Sequence, residues 1–320
     1  MGIRSTSMFW LARKHPTLMH LTLRLWLRTS ILFNRDKKKE AHWLLMELAS
    51  LLRYRLPVKA RLGNGMPIWV PWSDHIGQSI YEQGYYEPEL VALIQRLLKP
   101  GMVFFDVGAH VGQYTLVASQ VVGDAGEVHG FEPDPDTFRL VEQNVKLNNL
   151  KNVCLNRMAL TSDSGTGYLY LAPVSSLGDN SLSPPKDYSG LRCEVQCTTV
   201  DQYLESRHLD RVDCMKIDIE GAELSLLKGA NRLFTLKNRP LIVMEFEEAR
   251  QRAFGNSCKQ LADVLKSKGY VLFTLESRLL REYYPSQNDP MSLNVLAVPE
   301  EQKESLLTLL GSKTEKAYSK

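Results

Sequence analysis

The chain lacks the features of membrane-spanning and disulfide-built proteins. No apolar run reaches the roughly 20 residues that a spanning helix needs. The most apolar stretch near the start, HLTLRLWLRTSILF, is broken by Arg24 and Arg28. MFWLA is too short for a signal sequence, and no small-residue cleavage site follows it. Cysteine is sparse, five in 320 residues, with no Cys-x-x-Cys pair and no framework spacing. Cys193 and Cys197 in CEVQC share a strand face, the spacing of a disulfide or half a metal site, but reduced thiols are the plainer reading. No Asn-x-Ser/Thr sequon occurs, which fits a cytoplasmic protein. Internal repeats and low-complexity stretches are also missing.

What is present is ordinary in amount and uneven in place. An apolar fraction of 44% and a charged fraction of 23% are those of a globular protein able to bury a substantial core. Net charge is only +3, yet residues 1–61 hold thirteen Lys or Arg against three acids. The rest of the chain is therefore net acidic, which argues against nucleic acid as a partner. Residues 8–34 and 41–55 read as amphipathic helices, so 1–57 forms a basic helical segment. A cap packed on the main domain or on a second subunit is preferred for it. Peripheral contact with an anionic membrane is the alternative.

The body, 58–299, begins with a hairpin over 58–70 and a helix over 88–98. Strands and helices then alternate: strand 102–107, helix 112–122, strand 127–132, helix 135–147, strand 152–159. Asp134 and Pro135 read as cap and first residue of the second helix. Residues 160–200, rich in Ser, Gly, Asp and Pro, read as an inserted antiparallel flap. Alternation resumes with strand 212–219, helix 221–235, strand 239–246 and helix 257–268, and closes with strands 270–275 and 291–298. A charged tail follows over 300–320. Such units build an α/β fold, a Rossmann-like, doubly wound, mainly parallel sheet covered on both faces.

The first strand ends in FFDVGAHVGQYTL, residues 104–116. A strand, a tight turn and a helix in this order suit a nucleotide-like cofactor. Gly112 is followed by Gln113, so the Lys that a P-loop needs is missing. Gly108-Ala-His-Val-Gly112 also lacks the middle glycine that lets a backbone approach a dinucleotide pyrophosphate, and no Tyr-x-x-x-Lys pair occurs. A nucleoside without phosphate fits better. S-adenosylmethionine carries a sulfonium, a ribose diol, an adenine and an amino-acid end, and it calls for acids near the turn. Asp106 ends the first strand and Glu132 the second, where a carboxylate accepts both ribose hydroxyls. Gly108 and Gly112 leave room for the methionine part.

DVGAHVGQYTL, FEPDPDTFRLVEQNVKLNNL, NVCLNRMALTSDSG, TTVDQYL and MKIDIEGAELSLLKGA occur in this order. Together they resemble the FkbM-type methyltransferases, over roughly residues 58–275, with Lys216 to Glu223 the most specific part. The resemblance implies a seven-stranded sheet with an antiparallel last strand, and O-methylation of hydroxyls on sugars, glycolipids or secondary metabolites. It implies the methionine part near Asp106, Gly108 and Gly112, the ribose on Glu132, the adenine by Pro133 and Ala159, and Asp218 facing the methyl donor.

An alcohol acceptor must lose a proton, so a base is expected. Asp218 ranks first and His110, within the cofactor turn, second; Glu220 and Glu245 are further candidates. The three acids at adjoining strand ends also suit a divalent metal, but the reading without one is preferred. Glu220 has a second reading as the cap of helix 221–235. Aromatic residues Trp72, Tyr81, Tyr85, Tyr86 and Tyr188 are candidates for stacking on an acceptor ring or for closing the core. Two rival functions stand beside methyl transfer: a nicotinamide-dependent sugar oxidoreductase, disfavoured by the missing glycine, and a non-catalytic scaffold of the same fold at a membrane surface, disfavoured by the acids at 106, 132 and 218.

Overall fold

The computed structural model describes residues 57–173, 176–184, 188–276, 279–286, 289 and 291–310. Apart from Pro57, the basic segment 1–57, with its cap and membrane readings, lies outside the described residues, as does the tail beyond Leu310.

A hairpin of β1 (Pro57–Arg61) and β2 (Pro67–Pro71) precedes α1 (His75–Gln83) and α2 (Pro88–Leu97). Asp74 starts α1 by accepting from the Gly77 amide. α2 opens on Pro88 and buries Leu90, Val91, Leu93, Ile94 and Leu97, a single apolar stripe. The alternating units follow: β3 (Val103–Val107), α3 (Gln113–Val122), β4 (Glu127–Phe131), α4 (Pro135–Leu147) and β5 (Val153–Asn156). Asp134 caps α4 through the Asp136 amide. Next come β6 (Ala159–Leu160), β7 (Gly165–Tyr170) and β8 (Arg192–Thr198), which form a separate three-stranded sheet in the order β6-β8-β7, with β7 and β8 antiparallel. The rest of the chain supplies α5 (Val200–Ser206), β9 (Cys214–Ile217), α6 (Glu223–Lys228), β10 (Leu241–Glu247), α7 (Glu248–Ala253), α8 (Cys258–Ser267), β11 (Tyr270–Glu276), β12 (Leu279–Glu282), β13 (Ser292–Pro299) and α9 (Lys303–Leu310).

The main sheet runs β12-β11-β13-β10-β9-β3-β4-β5. Strands β10, β9, β3, β4 and β5 are parallel, and β13 is antiparallel to β10 and β11. The seven strands expected are joined by β12 at one edge. Alternation along each strand divides the core. Phe104 joins Leu116, Val117 and Val243 on one face, and Phe105 joins Phe131, Met215 and Ile242 on the other. Strand order reverses between β3 and β9, the place where such sheets bind ligands beyond their carboxyl ends.

Two expectations need trimming. The helix over 221–235 is α6 alone, followed by a separate short turn at Leu233–Thr235; Gly229 and Asn231, weak helix formers, come between. The strand over 152–159 divides into β5 and β6, and β6 leaves the main sheet to pair with β8. None of the five cysteines forms a disulfide.

Candidate functional site

Beyond the ends of β3, β4, β9 and β10 lies a cavity of about 310 Å³. Its floor is the turn between β3 and α3. Gly108 has φ +80°, and a Cβ there would stand 1.9 Å from the Asp218 carbonyl oxygen, so only glycine lets β9 pass this close. Gly112, at φ +88°, begins α3, and a Cβ there would strike Val141. Between them His110 also takes a left-handed backbone, φ +48°. That conformation is costly for a residue with a Cβ and is found where surroundings impose it.

Glu132 is the main part of those surroundings. Oε2 accepts from the His110 amide at 2.9 Å and Oε1 from the Asp134 amide at 2.9 Å. The carboxylate is thus fixed at the tip of β4. Beside it Phe131, Pro133, Met158, Ala159 and Leu160 line an apolar slot. Gly108, His110, Glu132, Pro133, Ala159 and Asp218 therefore all stand on the cavity wall. Asp106 and Gly112 do not. Asp106 is fully buried below the turn, where its Oδ2 accepts from the Thr115 hydroxyl at 2.5 Å. Burial raises its pKa, while Lys216 and Thr115 oppose the rise.

Lys216, on β9 opposite Asp106, is buried yet charged. Its Nζ lies 3.1 Å from Asp218 Oδ2, donates to the Gly108 carbonyl at 3.2 Å, and sits 5.0 Å from the Tyr114 ring centroid. Burial works against the charge, but Asp218 and Asp106 outweigh it and raise the Lys216 pKa. β9 ends at Ile217, so Asp218 and Glu220 do not share an extended strand; Glu220 turns through φ +56° and still faces the cavity. Glu220 does not cap α6: Ala222 holds the N-cap position without a side-chain hydrogen bond, and Glu223, the first helical residue, reaches back to accept from the Ile219 amide at 3.0 Å. Glu220 instead pairs with Arg250 Nε at 2.8 Å. Glu245, from β10, accepts from the Ser292 hydroxyl at 2.7 Å. Carboxylate oxygens of Asp218, Glu220 and Glu245 lie within 4.8 Å of one another, and Lys216 and Arg250 already meet two of the three. Burial, then the charge of Asp218, pushes Glu245 up to about 8 and Glu220 up to about 10.

Several residues of the site carried no sequence signal. Asp74, fully buried, accepts from the Leu177 amide at 3.1 Å and lies 3.6 Å from His110 Nε2 and from His75 Nδ1. Leu177, Gly178, Asp179 and Asn180, from the segment between β7 and β8, cross the cavity mouth. They are held by Asn180 on Asp134 (3.0 Å) and by Arg250 on Asp179 (3.1 Å). Of the five aromatic candidates only Tyr86 lines the cavity, its backbone clamped by Gln113. Trp72 and Tyr81 pack edge-on against each other, Tyr85 joins the core, and Tyr188 stands beside Tyr170.

The donor set suits S-adenosylmethionine. Glu132 matches the ribose, the apolar slot matches the adenine, the start of α3 matches the carboxylate, and the acids at β9 and β10 match the two cationic centres. Comparison with known proteins agrees. Residues 106–272 match the methyltransferase FkbM domain. The hexuronic acid methyltransferase AglP of Haloferax volcanii is 28% identical over 144 residues, 45% of this chain and 56% of its own length. Methyltransferase sdnD of Sordaria araneosa is 25% identical over 195 residues, 52% of this chain and 72% of its own. The crystal structure of methyltransferase FkbM from Methylobacillus flagellatus superposes with a TM-score of 0.41 at 16% identity, covering 66% of this chain and 50% of that one. The chain thus spans little more than half the length of the first of these relatives. With the domain matched over more than half of its residues, the chain belongs to the FkbM family of S-adenosylmethionine-dependent methyltransferases.

Proposed function

We propose that the protein methylates a hydroxyl group of a sugar, glycolipid or related metabolite. The observation that carries this reading is one cavity with a fixed carboxylate, Glu132, at its nucleoside end and Asp218, Glu220, Glu245 and Tyr86 at the other. The name of the relative from Haloferax volcanii, a hexuronic acid methyltransferase, supports a sugar-like acceptor.

When bound, S-adenosylmethionine supplies a methyl group already activated by sulfonium. The chain's own work is alignment, exclusion of water and removal of a proton. Holding an acceptor oxygen in line is worth roughly 7–11 kcal/mol of the barrier. Glu132, with the turn at Gly108 and His110, fixes the donor end. The 177–180 segment covers the mouth. Asp218, held by Lys216, is the first choice of base, and His110, near Asp74, the second; a positioned base contributes about 10²–10⁴-fold.

The test is transfer of labelled methyl from S-adenosylmethionine to a panel of hydroxyl-bearing glycosides and glycolipids. Product formation that Asp218→Asn lowers at least a hundredfold supports the reading. Transfer to amines or thiols alone contradicts it.

A further inference from the structure

The acids at the acceptor end are not equivalent, and their difference assigns a proton. Asp218 faces Lys216 at 3.1 Å, and Glu220 faces Arg250 at 2.8 Å. Arg250 is itself shared with Asp179 at 3.1 Å and Glu247 at 3.6 Å. Among the described residues Glu245 has no cation within ion-pair distance; it accepts from the Ser292 hydroxyl at 2.7 Å. We propose that Asp218, Glu220 and Glu245 form one proton-accepting unit, with Glu245 the member that keeps the acceptor's hydroxyl proton and so balances the charge lost at sulfur. This rests on the methyl-transfer reading above.

The charge balance follows from the reaction. The acceptor oxygen gains the methyl carbon, the C–S electron pair stays on sulfur, and the O–H proton must leave. The donor's net charge falls from +1 to zero in that step. A cavity rich in carboxylate and short of cations becomes more negative unless a proton stays behind. The uncompensated carboxyl is the one that binds it. Burial and the charge of Asp218 act on Glu245 in this sense, and Ser292 opposes them. The other charged or titratable groups facing the unit are Glu223 beneath it, Glu87 and Tyr86 across the cavity, Asp179 at the mouth, and Glu247 and Arg250 beside Glu220. Glu245 thus favours the cationic cofactor when ionised and the neutral product when protonated.

The experiment is calorimetric titration of the whole chain with S-adenosylmethionine and S-adenosylhomocysteine between pH 6 and 9, corrected for the free ligands' amino groups. A one-proton difference makes the affinity ratio change up to tenfold per pH unit. The expected result is a ratio that rises toward the cationic ligand as pH rises. Glu245→Gln flattens it. A pH-independent ratio in the unmodified protein overturns the proposal without any variant, whatever the variant's folding. An undiminished slope in Glu245→Gln places the proton on another group and overturns it too. Binding of neither ligand by folded protein overturns the methyl-transfer reading, and this one with it.

Discussion

Lys216 Nζ stands 3.1 Å from Asp218 Oδ2 and 3.2 Å from the Gly108 carbonyl, so one buried cation ties β9 to the cofactor turn. Asp106 lies opposite it in the sheet. Lys216→Met removes the cation and leaves two acids without it. Breaking a buried pair in this way costs about 3–5 kcal/mol. Urea unfolding checks this, and Asp218→Asn added to Lys216→Met is expected to recover part of the loss. An unchanged unfolding midpoint in the single variant contradicts the pairing.

Gly108→Ala tests the close approach of β9. The new Cβ must move the backbone of Asp218 or of the turn, at φ +80°. The expected cost is about 1–3 kcal/mol, with weaker cofactor binding because the turn is the cavity floor. A variant that melts and binds as the parent does rules out the contact.

Asp74 offers a graded comparison. It caps α1 and holds the Leu177 amide. Asp74→Ala is expected to destabilise by about 1–2 kcal/mol, and Asp74→Asn, which keeps an accepting oxygen, by much less. Equal losses in the two variants would mean that charge, and not capping, is what Asp74 supplies.

Stability should depend on pH in a direction opposite to that of most carboxylates. Glu245 and Glu220 have folded pKa values above their ordinary range. The folded state therefore binds more protons than the unfolded one across that interval, and stability falls as pH rises through it. Acids with lowered values, such as Glu248 and Glu301, act at lower pH. The lowered value of His129 works the other way up to about its ordinary 6.5. Between pH 6.5 and 8, without ligand, the melting temperature should fall, and less so in Glu245→Gln. A rise over that window contradicts the assignment.

Much of this was legible in the sequence. The change from strand to helical period at 104–116, and the acid 26 residues after Asp106, place the turn and Glu132 from local pattern alone. Local pattern could not reveal the partners. Asp74 meets Leu177 across 103 residues and Lys216 meets Gly108 across 108, contacts that only the folded chain creates. Nor does PWSDHIG announce a buried carboxylate, since Asp there reads equally well as a helix cap. Asp106, a strand-end acid in the sequence, is buried below the turn because side chains alternate along β3 and its own falls under Thr115. Glu220 misled as a helix cap for a related reason: β9 ends at Ile217, Glu220 turns through a left-handed backbone, and the helix begins only at Glu223.

We propose that Glu132 holds the ribose of S-adenosylmethionine. Calorimetric titration with S-adenosylhomocysteine, unmodified chain against Glu132→Ala, tests it most directly. Hydrogen bonds to a charged group are worth about 1.5–3 kcal/mol each, so loss of two should weaken binding at least a hundredfold while the protein remains folded. Affinity within threefold of the parent would contradict the account.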